Sequence, residues 1–280
     1  MLQTTCGLSM QGRGKKARGR KCFFAFIASL GLAFVATEAS ALSISVAEVR
    51  SGNEFPLVGG KALNAPKSYS GSGTLAAIMN SAGRSWEDAI ADGVRVTIHY
   101  GWGTLGSNVL GRATVVQHEA TIVFNNNYKN WFVDSTPEVN NEYGAMKKKT
   151  TIVHDISMNS ARYFRATQSG DAKGHYDLLT VARHEVGHGV GALFHVDDTI
   201  KSLDQALLVP SLMPGLRRDL STYDAYKTAE FAGYMGYSTY GNVVATPLPA
   251  ALPLAISAIG ALGALSAMSR KRAANNIDAC

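Results

Sequence analysis

Between Cys22 and Cys280 the chain contains no cysteine. Cys6, Cys22 and Cys280 sit at its two ends, so the interior has neither a disulfide framework nor thiolate metal ligands. Any metal held there must be bound by His, Asp or Glu. Surplus positive charge is missing from the interior as well. The formal net charge is +6, but six of the 27 basic residues precede residue 42 and three follow residue 242. Glu38 and Asp278 are the only acids outside that range, which leaves 18 basic against 19 acidic residues inside it, a net of about −1. A nucleic-acid partner requires clustered basic charge on the folded domain, and none is present. Internal repeats and long low-complexity linkers are absent too. About 200 residues remain for one domain with a proper core.

What is present at the ends reads as addressing. Arg13, Lys15, Lys16, Arg18, Arg20 and Lys21 form a basic segment, followed by the apolar run "CFFAFIASLGLAFVA" (Cys22 to Ala36). Ala39-Ser40-Ala41 then supplies a small-residue cleavage pattern, which predicts a removed signal peptide over 1–41 and a mature start at Leu42. A retained membrane helix is the alternative, and about 15 apolar residues is short for a span. At the other end, 243–280 reads "TPLPAALPL", a small-residue apolar stretch at Ala250–Met268, then Arg270-Lys271-Arg272. That stretch is long enough to cross a bilayer with its basic cluster on the cytoplasmic side. The three-part order resembles the PEP-CTERM sorting signal, although the usual Pro-Glu-Pro reads Pro247-Leu248-Pro249 here. The resemblance implies a Gram-negative bacterium, transient inner-membrane anchoring, an exosortase-like processing partner and a link to exopolysaccharide. An ordinary C-terminal anchor is the plainer reading.

Inside these ends the periodicities are mixed. Leu75, Ile78, Met79 and Ala82 recur at helical spacing, Gly83 interrupts, and Ser85 to Asp88 reads as a capping box for a second short helix. "VRVTIHY" (Val94 to Tyr100) alternates as a strand, and Ala113–Val116 and Ala120–Phe124 look like further strands. "TTIVHDISM" begins as a strand and turns helical near Ser157; Lys147-Lys148-Lys149 reads as a solvated loop. A buried helix is expected from about Asp177, and a capping box at Ser221–Asp224 opens a last one. Without regular βαβ alternation, the class is α+β.

The chemistry concentrates in "DLLTVARHEVGHGVGALFH" (Asp177 to His195). His184 and His188 are four apart, so they project from one helix face a turn from each other and can share one zinc ion. Glu185, rotated about 100°, stands beside the metal, placed to take a proton from water and return it to a leaving amine. A third ligand must come from elsewhere. Gly187, Gly189 and Gly191 are poor choices for a purely structural helix, each costing about 1 kcal/mol relative to Ala. Gly191 falls where a chain leaving a helix needs a left-handed residue. A solvated or hydrogen-bonded histidine cluster is the bland alternative.

These residues resemble the active-site helix and glycine turn of metzincin zinc endopeptidases, whose pattern is H-E-x-x-H-x-x-G-x-x-H. His184, Glu185, His188 and Gly191 match. His195 comes one residue late, with Phe194 at the family's third-ligand position, so the third ligand is His195 or, failing that, Asp197 or Asp198. The resemblance implies a zincin domain over 42–242 with a small twisted mixed sheet, an active-site helix and a C-terminal helix. It also implies a Zn2+ cofactor, a polypeptide substrate and metalloendopeptidase activity. Met213, before Pro214-Gly215, would be the family's turn methionine beneath the zinc, or an ordinary core Met. A tyrosine that assists some members falls at Gly215 here; Tyr223 is the nearest substitute. Ala120 to Tyr143, with Asn125 to Asn127 and Trp131 near the cleft, is the candidate substrate-pairing edge, or a polar surface loop. Glu230 is a remote candidate ligand, His154 beside Asp155 one to check, and His99, His118 and His175 lack ligand spacing. The competing function is a non-enzymatic matrix protein or adhesin with a structural or vestigial metal site; hydrolysis of a non-peptide amide is a third.

Overall fold

A computed structural model describes residues 41–128, 130–234, 236–239 and 242–245. The expected leader up to residue 40, and the expected span at 250–268 with its basic cluster, lie outside the described residues. Among the described residues no helix is long and apolar enough to cross a membrane.

The first half of the domain builds a sheet and one helix. Strand β1 (Ser43–Glu48) precedes helix α1 (Leu75–Glu87), and β2 (Arg95–Gly103), β3 (Gly111–Val116) and β4 (Glu119–Asn125) follow. The sheet order is β1-β2-β4-β3, with β1, β2 and β4 parallel and β3 antiparallel to β4. The alternation read in Val94–Tyr100 is realised as Val96, Ile98 and Tyr100 turned inward. β4 is buried along nearly its whole length because it lies between two strands and under α2, as a doubly covered strand must. α1 begins at Thr74, whose hydroxyl accepts from the Ala77 N–H at 3.2 Å. It does not break at Gly83. That glycine is buried with Ile44 beside it, and Ser85 donates its hydroxyl back to the Ser81 carbonyl at 2.9 Å instead of capping a new helix.

Short β5 (Trp131–Phe132) then leads to the hairpin of β6 (Lys147–Val153) and β7 (Ile156–Arg165). Two expectations change here. Lys147 to Lys149 begin a strand, with Lys149 ion-paired to Asp204, and the segment around Ser157 is extended and not helical. His154 and Asp155 form the connection with φ of 47° and 63°, the left-handed pair that matches the twist of two antiparallel strands. His-Asp carries that turn without the usual Asn-Gly signature, so the sequence pattern concealed it.

β8 (Tyr176–Asp177) pairs with β5 and runs directly into α2 (Leu178–Gly189). β9 (Leu216–Asp219) joins β7, α3 (Thr222–Ala232) follows, and β10 (Gly236–Thr239) pairs with β11 (Asn242–Ala245). α3 carries the expected capping box of Ser221 and Asp224 and ends at Gly233 with φ of 74°. The architecture is therefore mixed α+β. Its main core lies between the four-stranded sheet and the helices α1 and α2, around Trp86, Ile98, Leu178 and Val186. The Trp86 indole N–H donates to the Arg183 carbonyl at 2.8 Å, tying α1 to α2.

Candidate metal centre

α2 is held at both ends before it presents any chemistry. At its start Asp177 is the N-cap, accepting from the Thr180 N–H at 3.0 Å and its hydroxyl at 2.6 Å. The same carboxylate receives the fully buried Arg217, whose Nη2 lies 2.8 Å from Asp177 and 2.6 Å from Asp134. Along its length α2 rests on the sheet and on α1. A Cβ at Gly187 would stand 2.7 Å from the Trp86 ring and 2.9 Å from Leu208, and one at Gly189 would press on Ile98 at 3.3 Å. These two glycines, out of place on propensity alone, are there to let the helix approach its neighbours. Gly191 ends the run with φ of 107° and turns the chain back through Ala192 to His195.

That turn brings three imidazoles together. The Nε2 atoms of His184 and His188 are 3.1 Å apart, those of His184 and His195 3.3 Å, and those of His188 and His195 3.2 Å. Nitrogens about 2.1 Å from one ion, at tetrahedral angles, stand roughly 3.4 Å from one another. The triangle has the size of one face of that tetrahedron. The residues present therefore fit a metal ion. The outer nitrogens are committed in the way ligands require: His184 Nδ1 donates to the Leu207 carbonyl at 2.9 Å and His188 Nδ1 to the Ala192 carbonyl at 2.5 Å. Each Nε2 of this pair then carries the lone pair. Burial, reinforced by His188, lowers the His184 pKa to about 3, and burial lowers that of His188 too. Both are neutral bases at physiological pH, the form that binds metal.

The Leu207 carbonyl has its own support. Asp224, fully buried in the first turn of α3, accepts from the N–H groups of Ser221 at 3.1 Å and of Leu207 and Leu208 at 3.4 Å. A chain of contacts thus runs from the α3 cap to Leu207 and on to His184. None of these backbone partners has a sequence signature.

Glu185, next to His184 on the helix, is 6% exposed. Burial pushes its carboxyl up to about 7, partly offset by a hydrogen bond from the Ala113 N–H and by Arg112. A divalent cation at the imidazoles opposes that rise. The alternatives to His195 are engaged elsewhere. Asp197 accepts from the Thr199 N–H and hydroxyl at 2.9 and 2.7 Å, and Asp198 accepts from Ser211 at 2.7 Å. Glu230 binds Tyr226 and Lys227, His154 sits in the β6–β7 turn, and neither joins the cluster.

Two further expectations are corrected. Met213 is 43% exposed and belongs to no core cluster; Leu207 and Leu208, both fully buried, provide the apolar support behind α2. Ala120–Tyr143 is not an open edge, because β4 is paired on both sides and Trp131 is buried with its N–H bound to the Asn125 carbonyl at 3.0 Å. Asn125 itself braces the preceding loop through the Gly106 and Val109 carbonyls at 3.0 and 2.8 Å. The open edge of this sheet next to α2 is β3, which among the described residues pairs with β4 alone. Tyr223 is partly buried against the main core.

Fold and site together define a mixed α+β protein with a three-imidazole cluster able to hold a metal ion. No protein-family model matches this chain, and neither a curated protein nor a solved structure matches it.

Proposed function

We propose that this protein is a zinc-dependent metalloendopeptidase of metzincin type. The observation that carries the reading is the triangle of Nε2 atoms from His184, His188 and His195, with a buried glutamate adjoining it in the helix. Zinc bound there would supply Lewis acidity at a peptide carbonyl and acidify water toward a pKa of about 7. Glu185 takes the proton that water releases and delivers it to the departing amine. His184 and His188, with their outer nitrogens bound to carbonyls, keep their lone pairs aimed at one point. Apart from the Ala113 N–H, which serves Glu185, β3 has a main-chain edge with no strand partner among the described residues, the requirement for binding a polypeptide by strand addition. That combination of an edge strand, a histidine-bearing helix and a glycine turn agrees with a metzincin arrangement.

We read the ends of the chain as directing this activity outside the cytoplasm. The leader exports the domain, the apolar tail anchors it in the inner membrane, and an exosortase-like enzyme releases it to the cell surface or matrix. The deciding experiment measures zinc in the purified protein and cleavage of casein with and without a chelator. Glu185→Gln is expected to keep its zinc and lose at least about 100-fold in turnover, the scale of general-base removal. Metal bound with no turnover of any protein substrate would favour the matrix-protein reading. Wild-type cleavage by Glu185→Gln would remove Glu185 as the base.

A further inference from the structure

A glutamate side chain has three rotatable bonds, and α2 fixes only where the first of them begins. What restrains the rest of Glu185 lies on the neighbouring strand. An ideal Cβ built on Gly111 would stand 2.8 Å from Glu185 Oε1, 2.9 Å from its Cγ and 3.0 Å from Val181 Cγ1. Side-chain carbons do not approach that closely, so any residue larger than glycine would displace the carboxylate. Gly111 has no left-handed φ, so the requirement at this position is space and not backbone freedom.

Two residues further on, the Ala113 N–H lies close enough to Glu185 to favour its charged form. The sheet does not need that donor. The Leu110 carbonyl accepts from Asn125 N at 2.9 Å, and Gly111 pairs with Phe124 and Ala113 with Ile122. In an antiparallel pair, alternate residues turn their N–H and C=O toward the partner, so 110, 112 and 114 face β4 while 111 and 113 face outward. The Ala113 N–H is therefore spare at the outer edge of β3, and the room left at Gly111 lies against the same carboxylate.

We propose that Gly111 is a positioning residue for Glu185, and that the β3 edge clamps the carboxylate in one orientation through the room left at Gly111 and the N–H of Ala113. This rests on the peptidase reading for its consequence, though the clamp itself is a contact that can be measured without turnover. An isolated glycine inside a strand pattern is the sequence trace such a close approach leaves.

The test uses the full chain loaded with zinc and four variants: Gly111→Ala, Gly111→Ala with Val181→Ala, Ala113→Pro, and Glu185→Gln as reference. Zinc content and kcat and KM on a casein peptide are measured for each, and the amide proton resonance of Ala113 for all but Ala113→Pro, which lacks that proton. Gly111→Ala is expected to retain zinc and keep KM within about twofold, while kcat falls about 100-fold, the cost of a displacement near 1 Å. Its Ala113 resonance should move toward that of Glu185→Gln. Adding Val181→Ala should leave the defect in place; recovery of wild-type kcat would assign the effect to packing against Val181 and overturn the proposal. An unchanged kcat together with an unchanged Ala113 resonance in Gly111→Ala would also overturn it. Should Gly111→Ala fail to fold, Ala113→Pro decides. Proline removes an outward N–H at a sheet edge without costing a ladder bond, so kcat should drop about tenfold or more with KM within about twofold, and an unchanged kcat or a loss confined to KM, as from a disturbed substrate edge, rejects the clamp. A wild-type protein that binds zinc and cleaves nothing, while Gly111→Ala still shifts Ala113, removes the peptidase reading and leaves the clamp standing.

Discussion

His184 and His188 could be placed before any coordinates because four residues of helix return a side chain to the same face. His195 could not be placed with the same certainty, since it lies beyond a turn whose path depends on the positive φ of Gly191 and on where α3 allows the chain to pass. The partners that aim the rings were not legible at all: Leu207 and Ala192 contribute carbonyl oxygens, and every residue has one. Asp224 supports the first of these from a distance. Asp224→Ala would leave the N–H groups of Ser221, Leu207 and Leu208 without their acceptor, at about 1–3 kcal/mol for each that stays unsatisfied. Zinc affinity should fall by at least about tenfold, at the lower end of the range for groups behind a ligand. Competition with a chromophoric chelator measures the affinity, and urea unfolding of the same samples measures the stability.

Elements were read well where one period dominated and poorly where packing overruled local preference. α1 runs through Gly83 because the helix lies against Ile44 there, and the β6–β7 hairpin replaces a predicted helix because pairing across fourteen residues outweighs the helical look of one half. The glycines of α2 teach the same lesson in reverse. Gly187 is a poor choice for a helix by propensity, yet its immediate role is to admit Trp86. Gly187→Val should therefore be overpacked against Trp86 and Leu208 and lose about 1–3 kcal/mol despite the better helix propensity of the new residue. Thermal unfolding followed by near-ultraviolet circular dichroism checks this through the tryptophan environment. Stability unchanged from wild type would mean that α1 and α2 are not in close contact at this point.

For the molecule as a whole, the decisive buried group is Arg217, the hub between β9, the start of α2 and the segment after β5. Burial would raise the Asp177 pKa, but the adjoining guanidinium outweighs it and holds the carboxyl below its ordinary value. A depressed folded-state pKa contributes stability that is complete above the unfolded value of about 3.9 and is lost as pH falls through the folded one. The native protein should accordingly weaken as pH is lowered from about 5 toward 3. Arg217→Met strands two buried carboxylates and should cost about 3–5 kcal/mol at neutral pH. Without the guanidinium, burial acts on the Asp177 carboxylate against only the Thr180 hydrogen bond and Arg183, and its pKa rises, so the sign of the dependence reverses. The variant should gain stability on acidification from pH 7 to 5, where the native protein is nearly flat. Urea titrations across that range test both slopes.

From residue order come the neutral cysteine-free interior, the α+β class, the helix with two histidines on one face and an adjoining carboxylate, and the addressing segments expected at the ends. All of these depend on composition or on spacings of a few residues, where backbone geometry converts position directly into direction. Tertiary packing settled the rest: that His195 closes the triangle, that Met213 is exposed and outside the core, that β3 and not β4 is the open edge, and that Gly111 meets Glu185. Those contacts join residues that are far apart in the chain, and no local period records which of them will meet.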